Sequence, residues 1–317
     1  MRLSSVLTVA LVAACVSCVA VAAPAAKQAT KPLTMADVLA ASKPGDWYAL
    51  DPENTIYLEL KSGRVVLELA PVFAPNHVAN IKTLVREHYF DGLAILRSQD
   101  NYVVQWGDPN ADARAGDKEQ PRSLGSAKAK LKAEFTVPLA HNIPFVALPD
   151  PDGYAAQAGF SGDFASARDP KLGQAWLTHC YGTLGVGRDL DVDSGGGAEL
   201  YVVIGSSPRW LDRNITVVGR VIKGMELLST LSRGTGTLGF YEKPEQRVPV
   251  VSVRIAADVP EAQRTHLEVL RTDTPTFTDL VESRRNRRDD WYKVPAGHID
   301  VCSVPVPVRE TPPAATH

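Results

Sequence analysis

Arg97 and Gln105 are the residues whose types and spacing most suggest chemistry. They lie in Ile95-Leu-Arg-Ser-Gln-Asp-Asn-Tyr-Val-Val-Gln-Trp-Gly-Asp108, which starts apolar, presents one guanidinium and runs through Tyr102-Val-Val into the glutamine and a Gly107-Asp108 turn. A guanidinium stays protonated and donates hydrogen bonds in a fixed fork, so it can polarise a neutral group without a proton transfer. Other groupings offer less. His179-Cys180 sets a thiol beside a histidine, but neighbours on a strand point to opposite faces, so a packed or disulfide-bonded cysteine is the expectation. Asp189-Leu-Asp191-Val-Asp193-Ser-Gly195 places oxygen donors on alternate residues like a calcium loop. Its glycine comes one place late and its twelfth position is Leu200 rather than a bidentate glutamate. Arg284-Arg-Asn-Arg-Arg288 runs straight into Asp289-Asp290 and reads as a solvated helix end. No complete nucleophile–base–acid set stands at convincing spacing to support a hydrolase, and no cofactor or metal is expected.

The elements that must position Arg97 and Gln105 follow from periodicity. Thr55–Leu60 and Val65–Leu69 alternate with a period of two across a Ser62-Gly63 turn, which predicts two paired strands. Val78, Ile81, Leu84 and Val85 share one helical face, with Pro75 in the first turn. Thr183–Arg188, Glu199–Ile204 and Ile215–Val221 read as strands, Lys223 to Leu231 as a helix, and Val251, Val253 and Ile255 as a closing strand. Strands outnumber helices and do not alternate with them, a β-barrel pattern rather than a βαβ sheet. Outside it, Thr34 is placed to cap a short helix ending near Ser42. Two further helices are expected, from Asp258 to about Leu270 and from Thr276 to Arg288.

The chain has 317 residues, a formal charge of -2 and 44% hydrophobic residues, an ordinary globular composition that speaks against nucleic acid as a partner. Met1-Arg2, an apolar stretch and Ala20-Val-Ala-Ala23 read as a secretory signal peptide over residues 1–23, so the protein is expected to be exported and periplasmic. Val12-Ala-Ala-Cys15 also resembles a bacterial lipobox, an alternative that would place a lipid anchor at Cys15. Cys180 and Cys302 remain after cleavage; an exported protein can pair them, although the spacing does not demand it. Residues 24–52 read as a leader with a short helix, and the proline-rich tail from Val304 as extended or disordered.

Several motifs in order resemble the cyclophilin family of peptidyl-prolyl cis-trans isomerases over residues 53–256. Ala74-Pro-Asn-His-Val-Ala-Asn80 is similar to the family's opening helix and Gln105-Trp-Gly-Asp108 to its Gln-Gly-Gly-Asp. Lys132-Ala-Glu-Phe135 with His141 resembles its acidic-aromatic stretch, and Trp210-Leu-Asp212 with Val217-Val-Gly-Arg-Val221 its closing half. The resemblance implies a mainly β fold, a closed antiparallel barrel with two capping helices. About 38 extra residues near 142–179 would form a long insertion and 257–317 a helical extension docked on the barrel.

The resemblance also implies roles. Arg97 stands where the family has its catalytic arginine and Gln105 where a glutamine holds a substrate carbonyl. Tyr102, Val103, Tyr201, Trp210, Leu211 and Ile215 take pocket positions, while Gly187 and Arg188 run alongside the substrate backbone. The substrates implied are proline-containing peptides or unfolded exported proteins. The chain departs from the pattern at Ile95-Leu96 (for Phe-His), Gly187-Arg188 (for Ala-Asn), Glu199-Leu200 (for Gln-Phe) and Ile215 (for a histidine). These changes keep a second expectation open: a cyclophilin-like module that binds peptides and turns over weakly.

Overall fold

The computed structural model describes residues 33–114 and 116–311. The expected signal peptide, Cys15, residues 24–32 of the leader and the last residues of the tail lie outside them. Eight antiparallel strands close a barrel in the order Thr183–Val186, Leu200–Val203, Val103–Gly107, Ala94–Ser98, Val248–Ile255, Thr55–Leu60, Gly63–Leu69 and Val217–Lys223, which pairs back with the first. Inward residues such as Leu58, Leu67, Ile95, Val104, Trp106, Val202, Val218 and Val253 fill the interior. The helices Pro75–Arg86 and Met225–Ser229 cap it: Val78, Ile81, Leu84 and Val85 on the first and Leu228 on the second are buried in that core. Pro75 tolerates the first turn because its missing N–H would have had no helical partner. Glu134 takes the next two, accepting from the backbone of Asn76 and His77 at 3.1 and 3.0 Å.

The insertion is not a loop. Val137–Pro138, Gln174–Leu177, Phe164–Asp169, Gln157–Ser161 and Val146–Ala147 form a five-stranded sheet. Short strands separated by Pro149, Pro151 and Gly162 carry too little periodicity to be legible as a sheet. The C-terminal extension is also corrected. Asp258 to Leu270 is not a helix: Ala256–Asp258 and Glu261–Gln263 are single 3-10 turns and Leu267–Leu270 is a strand. Leu267 and Val269 are buried on either side of the half-buried Glu268, a period of two that outweighs the helix formers before them. This strand lies between Trp47–Ala49 and Val308–Glu310 in a three-stranded sheet. The later helix runs Pro275–Arg285, with Thr274 Oγ1 accepting from Phe277 N–H. The short helix Met35–Ala40 is capped by Thr34 as expected.

The extension docks mostly on the insertion. Phe277, Leu280 and Val281 pack with Val38, Ala158, Phe160, Ile299 and Val301 in a second core, apart from the barrel interior. Cys180 and Cys302 form a disulfide across that core, which settles the pairing the sequence left open. Between the barrel and the rest runs a buried polar seam of Glu68 and Arg220 on the barrel, Asp163 at the insertion's hairpin turn and Tyr48 near the N-terminus. Arg220 Nη2 donates to Asp163 Oδ2, and Arg220 Nε lies 3.7 Å from Glu68. Burial, with Asp163 next to it, holds the Glu68 carboxyl well above its usual range, whereas Arg220 offsets burial at Asp163 and keeps it low.

Candidate active site

Arg97 reaches the outside of the barrel because of a bulge. Ile95 pairs with Trp106 and both fill the interior, so Arg97, two residues on, should also point inward. The register shifts between Ile95 and Arg97, and Arg97 instead pairs with Gln105. An extra residue in one strand re-aims the side chain after it. Gln105 pairs with Tyr201 on the next strand, and Tyr201 with Gly185 on the one after. Arg97, Gln105, Tyr201 and Gly185 therefore form one row across four strands. The glycine is required: a Cβ at Gly185 would lie 2.2 Å from the Tyr201 hydroxyl. Tyr201 lies flat across this gap.

Beside the row, Val103, Tyr201 and Val203 form a small apolar cluster with Tyr102 and Ile215 packed against it. Arg97 is half-buried and all its protein partners are neutral. Its Nε donates to the Leu238 carbonyl at 2.6 Å, Nη1 to Gln105 Oε1 at 3.2 Å and Nη2 to Gln99 Oε1. The rings of Tyr102 and Phe240 each sit 5.4 Å from its Cζ. Burial pulls this guanidinium below the ordinary arginine value, though it remains a cation. Each Nη keeps a second N–H for a ligand.

Gln105 is oriented from both ends. Its oxygen accepts from Arg97, and its Nε2 donates to Glu199 Oε2 at 2.7 Å. Burial raises the Glu199 carboxyl above its usual value, against the pull of that hydrogen bond. Gly187 lies next to this pair, since a Cβ there would come 3.1 Å from Glu199 Cβ and 3.5 Å from Gln105 Nε2. Arg188 is drawn off along the loop, donating through Nε and Nη2 to the Asn214 carbonyl at 3.0 and 2.8 Å.

Trp210 and Leu211 occupy a 3-10 turn, Arg209–Leu211. Trp210 is 61% exposed, outside the apolar cluster, and Leu211 is half-buried. The structure thus joins Arg97, Gln105, Tyr102, Val103, Tyr201, Ile215 and Gly187 in one patch, while Arg188 and Trp210 turn toward solvent and neighbouring backbone. Sequence reasoning missed Gln99, Leu238, Phe240 and the use of Glu199. The glycines of Gly234-Thr-Gly-Thr-Leu-Gly239 predict only a loop. Its return to Arg97, through the Arg97–Phe240 bridge, is a long-range pairing that local pattern does not carry.

This geometry matches known proteins. A family model described as cyclophilin type peptidyl-prolyl cis-trans isomerase/CLD matches residues 55–255. A Brucella suis protein named probable peptidyl-prolyl cis-trans isomerase is 30% identical over 214 residues, 66% of this chain and 86% of that relative. A Gibberella zeae protein named peptidyl-prolyl cis-trans isomerase-like 1 is 25% identical over 208 residues, 65% of this chain and 96% of the relative. The crystal structure of cyclophilin AquaCyp293 from Hirschia baltica is 26% identical with a TM-score of 0.66, covering 88% of this chain and 97% of that one. That last match covers a larger share of the chain than the family model, which ends at residue 255. The barrel, the order of its strands and these relatives agree: the chain belongs to the cyclophilin-type peptidyl-prolyl cis-trans isomerases, and its enzyme class is isomerase.

Proposed function

We propose that Arg97 catalyses rotation about an X-Pro bond by donating a hydrogen bond to the prolyl nitrogen while Gln105 holds a neighbouring substrate carbonyl. The barrier, about 18–20 kcal/mol, comes from amide resonance. It falls when the nitrogen lone pair is drawn out of conjugation. A charge-assisted bond of about 1.5–3 kcal/mol accounts for roughly 10- to 150-fold in rate. The apolar patch of Tyr102, Val103, Tyr201, Val203 and Ile215 favours the twisted amide further, because that form is less dipolar and suffers less from leaving water. The observation that carries this reading is an uncompensated guanidinium in register with Gln105 beside an apolar cluster.

The natural substrates in this reading are proline-containing segments of exported proteins, with the chain working in the periplasm after loss of residues 1–23. The Cys180–Cys302 disulfide supports an oxidising compartment. A mature N-terminus near residue 24, read by mass spectrometry of the periplasmic fraction, is expected; a lipid-modified Cys15 would replace the soluble form with an anchored one.

The contact between Arg97 Nε and the Leu238 carbonyl favours a second reading, in which the arginine is restrained and the site mainly binds. NMR exchange on a proline peptide separates the two: acceleration by the wild type that Arg97→Ala loses supports catalysis, and binding without acceleration supports the module.

A further inference from the structure

Behind Tyr201 a continuous buried polar chain leads away from the site. His179 is fully buried, and its Nε2 lies 2.9 Å from the Tyr201 hydroxyl with the two rings stacked, 7° between planes. Its Nδ1 lies 3.0 Å from Asp212 Oδ1, which also accepts from the His179 backbone N–H at 2.9 Å. Hydrogen bonds from His179 and the charge of Arg209 keep the Asp212 carboxyl low despite its burial, so His179 Nδ1 donates to Asp212 while Nε2 faces the Tyr201 hydroxyl. Arg209, 3% exposed, donates through Nε to Asp212 Oδ2 at 2.6 Å. Through both Nη atoms it then grips Asp152 at 2.9 Å each.

These residues come from three places. Tyr201 is in the catalytic row, and Arg209 and Asp212 flank Trp210 and Leu211 on the exposed turn. Asp152 and His179 belong to the insertion, and the Asp152 carboxylate is itself 3% exposed. We propose that Asp152–Arg209–Asp212–His179–Tyr201 is a positioning relay for the isomerase site, through which the insertion sets the spacing between the Tyr201 wall and the Trp210 turn. A bidentate arginine–carboxylate pair fixes geometry more firmly than a single contact, and small displacements of a binding wall cost much in affinity for a correctly placed substrate. The inference rests on the isomerase reading for the location of the peptide, but not on the role of Arg97.

The test uses the full mature protein with 5-fluorotryptophan, the Trp210 fluorine line being assigned by its loss in Trp210→Phe. Asp152→Asn weakens the grip on Arg209 at the far end of the relay. It is expected to raise KM for a proline peptide about tenfold with little change in kcat, and to shift or broaden the Trp210 line. The same variant in an Arg97→Ala background should weaken peptide Kd by a similar factor, so failure of the Arg97 mechanism stays distinct from failure of the relay. Should Asp152→Asn not fold, Tyr201→Phe, which deletes one hydroxyl, is expected to give the KM rise. Unchanged KM, Kd and Trp210 line in the folded Asp152→Asn protein would overturn the relay and leave a bond that only fastens the insertion; if only Tyr201→Phe folds, an unchanged KM and Kd there overturns it.

Discussion

Arg97 and Arg220 are both partly removed from water, yet the molecule treats them in opposite ways. Arg220 sits in the seam against Asp163 and Glu68, and those carboxylates raise its proton affinity despite burial. Arg97 has only a carbonyl and two amides as hydrogen-bond partners, and burial lowers its affinity. An arginine with a carboxylate is committed to it, because a buried ion pair that loses one partner strands the other charge. An arginine held by neutral acceptors keeps its field for something that arrives. The difference separates an arginine committed to the fold from one whose remaining N–H groups are left for a hydrogen-bond acceptor, as the proposed mechanism requires.

The largest effect should come from breaking the seam. Arg220→Met leaves the low Asp163 carboxylate unpaired and is expected to destabilise the fold by about 3–5 kcal/mol, without changing kcat/KM of the folded fraction. A loss of activity with stability intact would erase the distinction between the regions. Next, Cys302→Ser opens the link between Cys180 and the extension and should cost about 2–5 kcal/mol, read as a lower urea midpoint; an unchanged midpoint would show that the second core holds without it. Arg97→Ala should do the reverse of the seam variant, losing about 10- to 150-fold in kcat/KM while the melting temperature stays close to wild type.

The smallest effect concerns Glu199, the one carboxylate bonded to Gln105. Its folded value is raised by burial above the unfolded one, so its contribution to stability is complete below about pH 4.3 and is lost as pH rises through the folded value. At neutral pH the buried carboxylate is a cost. Glu199→Gln is expected to raise the melting temperature slightly at pH 7, with the gain shrinking as pH falls through the folded value and gone below about pH 4.3. A variant less stable than wild type at pH 7 would show that the carboxylate's bond to Gln105 outweighs its burial.

What was legible in the sequence follows the same division. The barrel strands, the opening helix, Arg97 and Gln105 were readable because they rest on local alternation and on motifs within a few residues. Tyr201 could be placed in the pocket, but not its bond to His179, which depends on a glycine making room two strands from Gln105. The insertion sheet and the Leu267–Leu270 strand were missed because short strands are fixed by their partners rather than by their own pattern. Trp210 was expected to line the pocket; its motif is present, with Arg209 and Asp212 buried on either side of it and the indole well exposed.

The three-stranded sheet sets an order of events. Ala49, near the beginning, pairs with Glu268, whose other neighbour is Arg309, close to the end. A chain made from its N-terminus must therefore carry its first strand unpaired until nearly all of the rest has appeared. A product truncated before residue 267 keeps every barrel strand but leaves Trp47–Ala49 without its pairing strand, an exposed segment open to a partner or a protease.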